Sequence, residues 1–237
     1  MVGPVPFRRT RAASVGDMTE KPTPQDVDTF LNSTVIGHDP ALTAALEASD
    51  AAGLPSIAVS PLQGKFLSLL AGAVQARRIL EIGTLGGFST IWLARGAGAQ
   101  GRVVTLEYEA KHAEVARANL ERAGVADRVQ VIVGAALDTL PTVTNNGPFD
   151  LVFIDADKEN NVAYLEWAVR LTRPGSVIVV DNVIRDGQIL EPESDDPRVQ
   201  ATRQTLQVMG EHPRLDTSVI QTVGAKQWDG FAFALVR

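Results

Sequence analysis

The sequence predicts an α/β fold: a mostly parallel sheet with helices on both faces. Three observations carry that expectation. Short apolar runs rich in Val, Ile and Leu alternate with helical segments from Arg78 to Val180, the pattern of strands joined by crossover helices. Two of these runs, Phe149-Asp-Leu-Val-Phe-Ile-Asp-Ala-Asp-Lys158 and Ser176-Val-Ile-Val-Val-Asp-Asn182, stop abruptly at charged or amide side chains. The last two runs are separated only by the Gly-rich stretch 224–230, which implies a hairpin and therefore one antiparallel strand.

Taken in order, the chain opens with helical sequence over 23–52. Thr23-Pro24 and Asp39-Pro40 each offer a capping side chain followed by proline at the first helical position. Ser60-Pro61 repeats the signal and starts a helix that ends before Arg77. Strands follow at 78–83, 102–107, 129–133, 150–155 and 177–180. Helices are expected over 88–95, 110–123 and 160–171, with a short one over 137–140. Gly124 stops the second of these, and Pro174-Gly175 ends the third. A long helix over 196–210 precedes strands at 218–223 and 231–236.

Composition narrows the function. A formal net charge of −6 argues against a non-specific nucleic-acid binder, which needs a basic face. The chain has no cysteine, which removes thiolate catalysis and thiolate metal sites and suits the reducing cytoplasm, where the protein is expected. No apolar run approaches the roughly 18 residues of a membrane helix. Residues 1–15 carry Arg8, Arg9 and Arg11 without an acidic residue and lack the apolar centre of a secretory signal. Residues 1–18 are expected to be a disordered extension, with a start near Met18 and one domain over 19–237.

Ligands of open α/β sheets bind at the carboxyl ends of the strands. Asp155, Asp181 and Asn182 fall at two such ends and make an all-oxygen set suited to a hard divalent cation such as Mg2+, Mn2+ or Ca2+, not to zinc. Glu81-Ile-Gly83-Thr-Leu-Gly86-Gly87-Phe-Ser89 turns from the first strand into a helix, and Glu107 ends the second strand about 20 residues on, where a carboxylate binds ribose hydroxyls. The spacing is not that of a dinucleotide fingerprint, and Glu81 would repel a pyrophosphate. A nucleoside cofactor with a cationic end, S-adenosylmethionine, fits better.

These stretches, with Val104-Thr-Leu-Glu107, Gly134-Ala-Ala136 and Val180-Asp-Asn182, resemble the cation-dependent O-methyltransferases of the caffeoyl-CoA and catechol type, most of all their small actinobacterial members. The resemblance runs from about Ser60 to the C-terminus. It implies a Rossmann-like class I methyltransferase with seven strands in the order 3-2-1-4-5-7-6, which sets Asp155 beside Asp181 and Asn182. It implies metal ligation by Asp155, Asp181 and Asn182, and cofactor contacts from Val59, Glu81, Gly83, Ser89, Glu107, Ala136 and Asp155. Glu107 stands where several relatives carry Asp. The resemblance also implies an active-site lysine at Lys158, a phenolic acceptor with adjacent hydroxyls, and a homodimer whose N-terminal helices reach the site rim. On this reading the cation stabilises the phenolate, and Lys158 either takes the proton or holds the charge, with Asp155 beside it.

The remaining polar residues have plainer expectations. Asp157 is read as a helix N-cap, Asn160 and Asn161 as facing solvent or the rim, and His112 as solvated. His38, His112 and His212 show no ligand spacing. Trp228 and Phe231 are candidates for the acceptor pocket. Two alternatives stand: a nicotinamide-dependent oxidoreductase on the same kind of sheet, and a cofactor-binding homologue without chemistry.

Overall fold

The computed structural model describes residues 21–237, and the expected N-terminal extension and Met18 start lie outside them. Seven strands form one sheet in the order β3-β2-β1-β4-β5-β7-β6: β1 (Arg78–Ile82), β2 (Arg102–Glu107), β3 (Val129–Val133), β4 (Phe149–Ile154), β5 (Thr172–Asp181), β6 (Leu215–Gly224) and β7 (Gln227–Val236). The first five run parallel, and β7 is antiparallel to both β5 and β6.

The predicted caps form. Thr23 and Asp26 make a reciprocal capping box on α1 (Pro24–Leu31), and Asp39 and Ser60 cap α2 (Pro40–Ala51) and α3 (Pro61–Ala73). The helical stretch over 23–52 is two helices, divided by a wide turn over 32–36 and by Gly37. Further on come α4 (Phe88–Gly96), α5 (Ala110–Arg122), the short α6 (Ala136–Thr139), α7 (Asn161–Leu171) and α8 (Pro197–Glu211), the last capped by Asp196.

Alternate residues of the central strands feed two cores, as a sheet covered on both faces requires. Ile79, Leu151 and Phe153 pack with Leu67, Ile91 and Leu120 of α3, α4 and α5. Leu80, Ile82, Val152 and Ile154 pack on the other face with Tyr164, Leu165 and Met209 of α7 and α8.

Two boundaries differ from expectation. Pro174-Gly175 does not separate α7 from its strand. β5 begins at Thr172, and its pairing with β4 shifts register between Phe149 and Leu151, which lets the strand accommodate the proline. The final hairpin is also longer than the apolar pattern suggested. β6 and β7 pair from Leu215↔Val236 to Gly224↔Gln227, leaving only Ala225-Lys226 as the turn. Here the strand continues as backbone ladder through polar sequence, where hydrophobic alternation gives no signal.

At the amino ends of the strands, buried Asp150 fastens β4 to β1. Its carboxylate accepts the Arg77 and Arg78 N–H groups at 2.8 and 3.0 Å and an Arg173 guanidinium N–H at 2.6 Å. Burial would raise its pKa, but these donors outweigh it and hold the group below the usual value of 3.8. A depressed carboxylate contributes stability above its unfolded pKa that is lost as pH falls through the folded one. Asp150→Ala should therefore lower unfolding stability by roughly 1–3 kcal/mol near neutral pH, with the deficit shrinking below pH 3.8. Denaturant titration at several pH values reads both effects.

Candidate active site

The carboxyl ends of β1 to β5 open on one cavity of about 1640 Å3. β1 and β4 are neighbours at its centre, and their ends approach so closely that only glycine fits at 83. A Cβ there would lie 2.1 Å from the Asp155 carbonyl oxygen, and φ is +101°. Val59, Gly83, Ser89, Glu107, Ala136, Asp155, Lys158, Asp181 and Asn182 all line the cavity, so residues up to 123 positions apart in sequence face one space.

Glu81 does not line it. Its fully buried carboxyl accepts hydroxyl hydrogen bonds from Ser89 at 2.7 Å, Thr105 at 2.7 Å and Thr90. The Ser89 hydroxyl, which lines the cavity, stands between Glu81 and that space. Burial pushes the Glu81 pKa up to about 7; the three hydroxyls oppose the shift, and the Asp155 carboxylate adds to it.

Glu107 braces the glycine loop as well as facing the cavity. One carboxylate oxygen accepts the N–H groups of Thr84 and Leu85 at 3.1 and 2.7 Å, and the other accepts that of Glu109 at 2.9 Å. His112 Nδ1 stands 3.4 Å from the second oxygen, and its ring lines the cavity instead of being solvated. The signal was the spacing: a residue in the first turn of α5 returns over the end of β2.

The acid cluster lies on the other side of Gly83. Lys158, 8% exposed, places its Nζ 2.9 Å from Asp155 Oδ1. Asp181 is buried, and its pKa is raised first by that burial and then by the Asp155 carboxylate, with Lys158 pulling the other way. Asn182 adopts φ +59°, a region Asn tolerates, and its N–H donates to Asp181 Oδ1 at 2.9 Å. Among the described residues no group of three or more His, Cys, Asp or Glu side chains gathers to hold a metal. The available set is two carboxylates and one amide.

Several expectations need correction. Asp157 makes no capping bond to backbone; its carboxylate accepts from the Tyr164 hydroxyl at 2.6 Å and from the Asn160 amide. Asn161 is buried at 1% exposure, because the turn before α7 rotates it inward. Phe231 lines the cavity and meets Phe66 at a centroid distance of 5.0 Å, whereas Trp228 turns away to donate to Gln221 at 2.9 Å. Arg185, in the polar segment after Asn182, also borders the cavity, as do Lys226 in the β6–β7 turn and Asp229 near the start of β7, and no motif marked these three residues individually.

The family model described as O-methyltransferase matches residues 34–232. The chain belongs to that family. It is 75% identical over 220 residues to a catechol O-methyltransferase of Mycobacterium tuberculosis, covering 93% of this chain and 99% of the relative. It is 48% identical over 215 residues to a catechol O-methyltransferase of Niastella koreensis, covering 90% and 97%. The crystal structure of an O-methyltransferase from Bacillus cereus in complex with SAH superposes with a TM-score of 0.88 at 52% identity, covering 90% of this chain and 98% of that one. Membership sets aside the nicotinamide-dependent alternative: this is an O-methyltransferase. No helix among the described residues is long and apolar enough to cross a membrane.

The raised Glu81 carboxyl gives a pH signature. Between about 4.5 and about 7 the folded chain keeps a proton that the unfolded chain has released, so stability from this group falls as pH rises through that window. Glu81→Gln cannot ionise. Its melting temperature relative to the wild type should therefore rise steadily from pH 5 to pH 7.5, measured without ligands by thermal denaturation; a difference independent of pH would rule the shift out.

Proposed function

We propose that the enzyme transfers a methyl group from S-adenosylmethionine to one hydroxyl of a catechol-like acceptor, aided by a divalent cation. The observation that carries this reading is one cavity in which the Gly83 loop and Glu107 adjoin Asp155, Lys158, Asp181 and Asn182. The relatives named catechol O-methyltransferase and the SAH complex of the Bacillus cereus enzyme support the acceptor and cofactor classes.

The donor chemistry fits the cation. Asp155, Asp181 and Asn182 offer hard oxygens without thiolate or imidazole, the preference of Mg2+, with Mn2+ and Ca2+ as alternatives. Burial and the neighbouring Asp155 charge already hold Asp181 at a raised pKa, an electrostatic burden that a divalent cation would relieve. When bound, such a cation lowers the cost of negative charge on a phenolic oxygen. S-adenosylmethionine supplies a sulfonium-activated methyl group.

The chain's own groups do the rest. The glycine loop, Val59, Ser89 and Ala136 shape the cofactor side, and Glu107 offers carboxylate oxygens there. Phe66 and Phe231 give the acceptor side an aromatic wall for a flat ring. Lys158, fixed by Asp155, either holds the phenolate charge as an ammonium or, as the neutral amine, accepts the phenolic proton at Nζ. Much of the rate then comes from holding donor and acceptor close and aligned.

A homodimer in the cytoplasm completes the reading. Val27, Phe30 and Val35 near the N-terminus and Val223 on β6 are strongly exposed apolar side chains, and α1 packs against β6, so this end of the molecule offers an apolar face for a second copy.

The test is methyl transfer from labelled S-adenosylmethionine to catechol. Chelator should abolish transfer and Mg2+ restore it; full activity in excess chelator would remove the cation from the mechanism. Lys158→Ala should lower kcat by about 100-fold or more, the usual scale of general acid–base assistance. Near-normal turnover would remove the lysine's role.

A further inference from the structure

Beyond the catalytic groups, the cavity mouth holds two cations that methyl transfer itself does not use. Lys226 sits in the two-residue turn between β6 and β7. That turn is pinned over the site, because the Ala225 N–H donates to Asp28 of α1 at 2.8 Å. Lys226 is exposed along its length, yet crowded enough that desolvation holds its pKa below the usual lysine value, while Asp155 and Asp181 pull the other way. Arg185 stands three residues beyond Asn182. Its backbone N–H is held by Asp229 at 3.1 Å, and its side-chain Nε is buried without a hydrogen-bond partner among the described residues. Both residues line the cavity.

The anions around them are already committed. Asp229 accepts three backbone N–H groups, from Ile184, Arg185 and Gly230. Asp157 is bonded to Tyr164 and Asn160, and Asp28 to Ala225. Glu159 lies near Arg198, which is itself paired with Asp196 at 2.7 Å. Among the described residues neither Lys226 nor Arg185 enters an ion pair. A buried donor without a partner is costly unless a ligand supplies the acceptor. A guanidinium and an ammonium on one rim are suited to a carboxylate. If a divalent cation offsets Asp155 and Asp181, Lys226 and Arg185 stand at this edge as local positive charges outside any ion pair among the described residues.

We propose that Lys226 and Arg185 form an anion-recognising edge of the acceptor site, so that preferred acceptors are catechols carrying a carboxylate. The proposal rests on the methyl-transfer reading above and adds the acceptor's charge to it.

The discriminating pair is 3,4-dihydroxybenzoate and its methyl ester, each methylated by the full-length enzyme saturated with S-adenosylmethionine and Mg2+. The wild type should favour the acid in kcat/KM. Lys226→Met should lower the acid-to-ester ratio by about tenfold, chiefly through KM, with Lys226→Glu lowering it further and Arg185→Gln acting in the same direction. Ring electronics differ between acid and ester, but that difference cancels when the ratio is compared across variants. Calorimetric titration of both compounds into the SAH-loaded protein should show the same loss of preference in binding. An acid-to-ester ratio unchanged in Lys226→Met and Arg185→Gln would overturn the proposal and leave the methyl-transfer reading standing. Transfer to neither compound nor to catechol would overturn both.

Discussion

The contact on which the site depends is the approach of Gly83 to the Asp155 carbonyl. The Asp155 N–H donates to the Ile82 carbonyl at 2.8 Å, and a Cβ at position 83 would fall 2.1 Å from the Asp155 carbonyl oxygen. The two strand ends are thus joined at the level of the backbone. On one side of this junction is the loop braced by Glu107; on the other is the cluster of Asp155, Lys158 and Asp181. Methyl transfer needs its two reactants within about 3–3.5 Å of each other, and an error near 1 Å is expensive. A sheet register is a firmer way to set that distance than any pair of side chains.

Placing these carboxyl groups where they are needed works against stability. Glu81 and Asp181 are both buried, and burial raises the pKa of each. The fold meets this cost differently in the two halves. Beneath the cofactor side, three hydroxyls surround Glu81, so its charge can be borne with or without a proton. At the other cluster Lys158 and Lys226 offset Asp155 and Asp181 in part, and the pKa of Asp181 stays raised. Perturbed acids gathered at strand ends are the usual mark of a working site. The two clusters thus differ: hydroxyls surround Glu81, while like charge and burial press on Asp181.

Much of this was legible in the sequence because it is written in backbone chemistry. Thr23, Asp39 and Ser60 announce their helices through the hydrogen bonds they supply, and strand ends reveal themselves where apolar runs stop at Asp155 and Asp181. Neighbouring order was less accessible. Spacing alone does not set β4 beside β5, and only the family resemblance implied it. Side-chain direction was least accessible. Asn161 turns inward and Asp157 bonds to Tyr164 instead of backbone because of the short turn between β4 and α7, whose geometry no periodicity describes. The place of Glu81 on β1 was legible; that Ser89 stands between it and the cavity depends on where α4 begins. The β6–β7 hairpin was cut short since its last rungs are polar, and with them went the placement of Lys226.

The cavity mouth is assembled on a different principle from the strand ends. It draws on α1, the segment after Asn182 and the β6–β7 turn, which the sheet does not hold in register with one another. Carboxylates bonded to backbone N–H groups tie them together: Asp28 to Ala225, Asp229 to Ile184 and Arg185, and Asp186 to Trp228. These ties fix the path of the turns without using the side chains of Arg185 and Lys226, which line the cavity outside any ion pair among the described residues. Substitution at those two positions can therefore alter what the rim attracts while the strand ends stay where the β1–β4 junction puts them. Specificity residing in turns on a scaffold that holds the chemistry fixed is how one fold serves many acceptors. In this chain, the division runs between Asp181, which ends β5, and Arg185, which borders the cavity beyond it.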